Sequence, residues 1–280
     1  VTAYDKADIN SHLGTLAVGI AGTAGVGAAG AGDRNTISRE TVAQITGNSQ
    51  EGNTLNAHNI AVNALGETQI HVSESGVAAG GSATGAAAAV GSVSVDRFTS
   101  ETSVLVSGVT GTVHSLEVEA NRLAKVDTYN NAISLSGAIG SASVSVGVTD
   151  VEDTSRTKAE VSKVQLTSDG SQNSHVDVKA HNDTEVGTEL SGDALAVSIG
   201  GAAGISVANV NIESQVDAKV DQSVLGQADN KFCDIQVTAQ NTISHAYKNV
   251  AAGISSLLGV AVGKGAINVN TGTHATFSNS

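Results

Sequence analysis

The chain has no proline, methionine or tryptophan in 280 residues, and only three Phe and three Tyr. Average proline usage is about 5%, and proline is confined to sheet edges and bulges. Its absence points to a chain that is nearly all interior strand. With aromatics at 2%, the bulky side chains that fill an irregular globular core are missing. Alanine and valine reach crystal-like density only where backbones approach one another regularly, which favours stacked, repetitive architecture.

Positive charge is also scarce, with 14 Lys and Arg against 27 Asp and Glu and a net charge of −13. No basic cluster occurs, so no nucleic-acid partner is expected. An acidic, low-aromatic surface suits a soluble extracellular protein and is repelled by anionic membranes. The single cysteine, Cys233, excludes an intrachain disulfide and is read as a buried small apolar group. No charged n-region or apolar h-region opens "VTAYDKADIN", an absence without meaning in a piece of a longer polypeptide, which the chain is expected to be. Leu16–Gly32 is uncharged, but each glycine in it costs a helix about 1 kcal/mol relative to Ala, so no membrane span is expected. The 32 glycines do not signal disorder, because only 15% of residues are charged and disordered chains are more polar.

Internal self-similarity is strong. The pattern V-x-A with an apolar residue six positions on recurs as Val1, Ala3, Ile9; Val62, Ala64, Ile70; Val118, Ala120, Val126; Val178, Ala180, Val186; and, in a shortened form, Val237, Ala239, Ile243. A Gly/Ala block follows each time. A third element closes each unit: "TVAQI" at 41–45, "TSVLV" at 102–106, "TKAEV" at 157–161, "VDAKV" at 216–220 and "THATF" at 273–277. Five units of roughly 60 residues result, bounded at 1–54, 55–115, 116–175, 176–234 and 235–280. Such units cannot close a core alone and must stack. The fold class expected is all-β, a repetitive β-solenoid (β-helix-like) rod. Each unit is either three short coils, a reading that fits Val178, Val197 and Val216 at a spacing of 19, or one wide coil or sheet layer.

Period-two alternation dominates. In unit four Leu195, Val197 and Ile199 share a parity that Ile205 and Val207 continue, whereas Val210, Ile212, Val216, Ala218 and Val220 take the other. Such a slip turns side chains to the opposite face, so a bulge or corner is expected near Ala208–Asn209. "GGAAG" at 200–204 is either a turn or a place of close backbone approach.

The run from "VKAHNDTEV" through "LAVSIGGAAGISVANVNI" to "VDAKV", with its counterparts, resembles the repeats of leukotoxin-type filamentous adhesins, giant bacterial surface proteins related in style to filamentous haemagglutinins. Units one and two depart from the pattern, with "GAAGAGDRN" and "GSVSVDRF" where its Asn would stand. The resemblance implies a secreted β-solenoid at a cell surface, serving adhesion or spacing, and carries over no catalytic residue.

Candidate chemistry is sparse. Gly25, Gly27 and Gly30 spell G-x-G-x-x-G, but a dinucleotide site needs a strand before it and a helix after it. His12, His58, His71, His114, His175, His181, His245 and His274 are scattered without H-E-x-x-H or cysteine pairs and read as solvated. "EDTSRTKAE" at 152–160 and "TSDGSQN" at 167–173 gather the densest polar groups. A structural calcium is the one ion left open there, although a turn at Asp169–Gly170 is the better reading. No catalytic, cofactor or metal residue is assigned. Tyr4, Phe98, Tyr129, Phe232, Tyr247 and Phe277 form no obvious carbohydrate platform.

The expectation is therefore a structural or adhesive extracellular segment at a bacterial cell surface, without catalysis. Its partners are neighbouring copies or further repeats, and host or cell-surface molecules, with no nucleic acid and no membrane span. A self-polymerising fibre or sheath subunit is the alternative, since neither end shows a cap. A polysaccharide-active β-helix enzyme is the minor one.

Overall fold

The computed structural model describes residues 1–47, 54–197, 199–227 and 229–278. It is all-β, and the described residues contain no helix. Ten long strands make up five layers of two: β1 (Thr2–Ala21) and β2 (Ala24–Thr46), β3 (Ala57–Ser82) and β4 (Gly85–Ser107), β5 (Thr110–Gly137) and β6 (Ser141–Ser162), β8 (His175–Val197) and β9 (Gly200–Asp221), β11 (Asp234–Ser255) and β12 (Leu258–Ser278). The first strand of each layer joins one sheet, in the order β1-β3-β5-β8-β11, and the second joins the other, β2-β4-β6-β9-β12. Every pairing between these long strands is parallel. Two short strands lie on the return paths, β7 (Gln165–Ser168) beside the start of β5 and β10 (Val224–Leu225) beside β7.

The registers reproduce the sequence repeat residue by residue. Val62 pairs with Val118, Val118 with Val178 and Val178 with Val237. Thr41, Thr102, Thr157, Val216 and Thr273 form one continuous column, so the third element aligns in all five layers. Pairing offsets are therefore those of whole units, and each unit is one wide layer of two strands. Val178 and Val216 face inward on opposite sheets while Val197 is 57% exposed, so the spacing of 19 does not join equivalent positions.

Two expectations about register need correction. The position equivalent to Val186 in the last layer is His245, not Ile243, which pairs with Thr184. The fifth unit is not shortened there. Nor is there a bulge at Ala208–Asn209. β9 pairs without interruption from Gly200 to Asp221, and its buried positions keep one parity throughout. Leu195, Val197, Ile199, Ile205 and Val207 point outward, while Gly200, Ala202, Gly204, Ser206 and Ala208 point inward.

The reason is a wedge-shaped cross-section. At the base, Val62, Val118 and Val178 of one sheet meet Val104, Val161 and Val220 of the other, closed below by Val109, Val164 and Leu166 of the return segments. Further along, Ile70, Val126 and Val186 meet Phe98, Val151 and Ile212. Beyond these the core shrinks to Ala78, Ala88, Val90 and Ala132, and to Ala194, Ala196 and Ala202. At the tip the backbones touch. A Cβ on Gly25 would fall closer than 3.0 Å to the carbonyl oxygens of Gly81 and Gly19, and one on Gly204 would do the same to Ala252 and Gly192. Small residues are thus required where the sheets converge, because no volume is left between them.

Three strands of the second sheet, β4, β6 and β9, end in a left-handed corner that starts the return path. Gly108 occupies it at φ 65°, Lys163 at 54° and Gln222 at 49°. The backbone N–H groups of Gly108 and Lys163 donate to Ser162 and Asp221 of the next layer, carrying the ladder through the corner. Strands of about 22 residues span about 70 Å, while five layers rise only about 24 Å. Five layers are a slab, and a rod needs more of them.

Candidate functional site

The wedge has a polar waist between its two larger apolar compartments. Arg122, inward on β5, is 2% exposed and donates to Asp153 Oδ1 at 2.6 Å, Thr184 Oγ1 at 2.8 Å, Asn182 Oδ1 at 2.9 Å and Ser100 Oγ at 2.5 Å. Burial pushes the Asp153 carboxyl up and the Arg122 guanidinium pulls it back. In the first layer Arg39 and Asp5 make the corresponding bridge at 2.7 Å, with the charges on opposite sheets. Outside the waist, an open trough of about 710 Å³ crosses all five layers of the second sheet, lined by Glu40, Glu101, Arg156 and Glu213 among hydroxyls. Segment 152–160 lies along this trough on β6 as regular strand, so its carboxylates alternate between faces and do not converge.

A second buried polar group lies nearer the tip. Glu74 is 0% exposed; its Oε2 accepts from Ser92 Oγ at 3.1 Å, and Oε1 has no partner. Burial, helped by the nearby Asp33 and Asp96, pushes its carboxyl up to about 7. Asp96 is raised for the same reason, against hydrogen bonds from Asn35, Thr128 and Ser94.

Stacking brings together histidines that the linear sequence scatters. His58 and His114 precede Val62 and Val118 by the same four positions, so they fall on neighbouring layers with rings stacked at 4.4 Å and 14°. Asp169, on the return segment between β7 and β8, reaches both. Its Oδ2 lies 3.4 Å from His58 Nδ1 and its Oδ1 3.4 Å from His114 Nδ1. The Ser171 backbone N–H and hydroxyl both donate to this carboxylate and hold it down to about 2, with His114 adding to the effect. The turn expected at Asp169–Gly170 is present, with Gly170 at φ 79°. His12 and His71 meet edge to face at 5.7 Å. His175 and His181 share β8, too far apart to cooperate. His245 is partly buried at a core position, and desolvation lowers its pKa. The equal offset from the V-x-A motif was the available signal for His58 and His114; Asp169 lies off the strand pattern and carried none.

The other sequence candidates do not assemble. Gly25 and Gly27 lie inside β2 and serve the sheet contact, and no helix follows them. Cys233 is exposed, contrary to expectation, because it precedes the strand of the end layer; the Ser174 hydroxyl 3.7 Å away lowers its pKa. Of the aromatics, Phe98 is buried in the core, and Tyr129 and Tyr247 line a small depression with His71.

The outer surface at the tip is the least expected feature. Residues 13–32, 75–95, 128–149, 194–212 and 249–263 contain no charged side chain. Leu16, Val18, Ile20, Val26, Leu135, Ile139, Val144, Val197, Ile199, Ile254, Leu257 and Leu258 are all exposed there. Seven residues by five strands give each face of the ridge a footprint of about 550 Å², uncharged and largely apolar. Among the described residues no helix is long and apolar enough to cross a membrane. Neither the protein-family models, the curated proteins nor the solved structures contain a match to this chain.

Proposed function

We propose that the chain is a structural, non-catalytic segment of a β-solenoid rod at a bacterial cell surface, extended by stacking further layers on its open ends. One observation carries this reading. In the last layer the inward-facing Ile267, Val269 and Phe277 are 45%, 50% and 50% exposed, whereas their neighbours Val210, Ile212 and Val220 are at 1% or less. The apolar columns run to the end face and stop half covered, beside strands β11 and β12 with one hydrogen-bonded neighbour each. A further layer would cover both, at about 25 cal/mol per Å² of apolar surface removed from water.

Further repeats of a longer chain, of the filamentous-adhesin kind that the sequence resembles, supply that layer in the main reading. The same open faces favour end-to-end polymerisation of separate copies as the second reading. The charge-free ridge supports the adhesive side, since exposed apolar patches above a few hundred Å² mark contact surfaces.

Negative-stain microscopy of the purified chain separates the two, with short slabs expected from the first reading and long fibres from the second. Val269→Asp should shorten any fibres. Proteolytic shaving of intact source cells should release fragments of this chain, and recovery only from inside the cells would overturn the surface assignment.

A further inference from the structure

We propose that His58, His114 and Asp169 form a binding site for a first-row divalent transition metal of the zinc type, clamping two neighbouring layers to the return segment between β7 and β8. One ligand atom from each residue lies within 4.8 Å of the others. The two Nδ1-to-carboxylate distances of 3.4 Å match the separation of about 3.3 Å that bonds of 2.0–2.1 Å make at a tetrahedral ion. Both Nδ1 atoms face the Asp169 carboxylate; that of His114 also lies 2.5 Å from Ser171 Oγ, a contact that an ion would replace by side-chain rotation.

Donor type selects the ion. Two imidazoles and one carboxylate suit zinc and its neighbours, whereas calcium and magnesium take six or more oxygens. The site is also braced. Ser171 fixes the Asp169 carboxylate through its backbone N–H at 3.0 Å, as second-shell donors fix metal-bound carboxylates. Gly170 and Asn173 take left-handed conformations, φ 79° and 72°, that fold the segment back toward the histidines. His58 is 69% exposed at its side chain, and with His114 and His175 it borders an open depression that gives solvent access to the two histidines.

The test is calorimetric titration of the whole chain with Zn²⁺, and with Ca²⁺ in parallel. One saturable zinc ion per chain is expected, with no calcium binding at the same concentrations. His58→Gln, His114→Gln and Asp169→Asn should each weaken zinc binding by about tenfold or more. His12→Gln, in the other histidine pair, should not. Co²⁺ should give the intense visible absorption of a tetrahedral site in the parent chain and lose it in Asp169→Asn. Far-UV circular dichroism identifies any variant that misfolds, and the exposed His58→Gln keeps the test decisive if His114→Gln does so. Absence of saturable zinc binding, or binding equally strong in His58→Gln and Asp169→Asn, would overturn the proposal.

Discussion

Glu74→Gln should stabilise the fold at pH 8 and leave it nearly unchanged at pH 5. The carboxyl titrates at about 7 in the fold against an ordinary value of 4.5. Between those two values the native state keeps a proton that the unfolded chain has lost, so stability falls as pH rises through that window and levels off above it. A shift of about 2.5 units at 1.36 kcal/mol per unit gives about 3 kcal/mol at the alkaline plateau. That figure is an upper bound, because Ser92 stays bonded to the ionised form and neighbouring carboxyls respond to its charge. Glutamine keeps the shape and an acceptor for Ser92 while removing the titration. Urea unfolding at both pH values, followed by far-UV circular dichroism, measures the difference. Parent stability that rises from pH 5 to pH 8, or a variant with no advantage at pH 8, would refute the reasoning. Asp96, raised by burial as well, should leave the variant with a smaller pH dependence of the same sign.

Three further outcomes follow from the packing. Gly204→Val should destabilise by about 3 kcal/mol or more, since even a Cβ meets the carbonyl oxygens of Ala252 and Gly192; Ala202→Phe should act similarly through overpacking, and thermal melting reads both. Asp153→Ala should cost about 3–5 kcal/mol by leaving Arg122 charged and buried, while the double change Arg122→Met with Asp153→Leu should recover most of that loss in the same unfolding assay. Lys163→Gly and Gln222→Gly should each raise the urea midpoint by an amount worth about 0.5–1 kcal/mol, because both hold left-handed corners where glycine is unstrained.

The repeat was legible because two of its landmarks, V-x-A and the closing five-residue element, sit where the wedge is wide. There polarity alternates with burial, and the columns Val62–Val118–Val178 and Thr41–Thr102–Thr157 follow from spacing alone. The middle block was misread for a physical reason. At the tip both faces are apolar, and size replaces polarity as the inward signal. Gly204 and Ala202 point in because the facing backbone leaves no room, while Ile205 and Val207 point out. Reading the larger apolar residues as interior therefore produced a bulge that does not exist. His245 in a core column was hidden because a histidine stands in the end layer, partly exposed, where Val126 and Val186 are buried in the inner ones. The His58–His114–Asp169 cluster depended on how the return segment folds back, which periodicity does not encode.

The central claim is that positions one unit apart are spatial neighbours in two facing parallel sheets, and disulfide trapping tests it most directly. In a Cys233→Ser background, the outward column Ser75, Asn131 and Ser191 lies on three successive layers of one sheet. Cysteines at 75 and 131, or at 131 and 191, should oxidise readily, because adjacent strands hold them about 4.8 Å apart. Cysteines at 75 and 191 are about 9.6 Å apart and should remain reduced. Crosslinking of the distant pair with failure of both adjacent pairs would contradict the layered architecture.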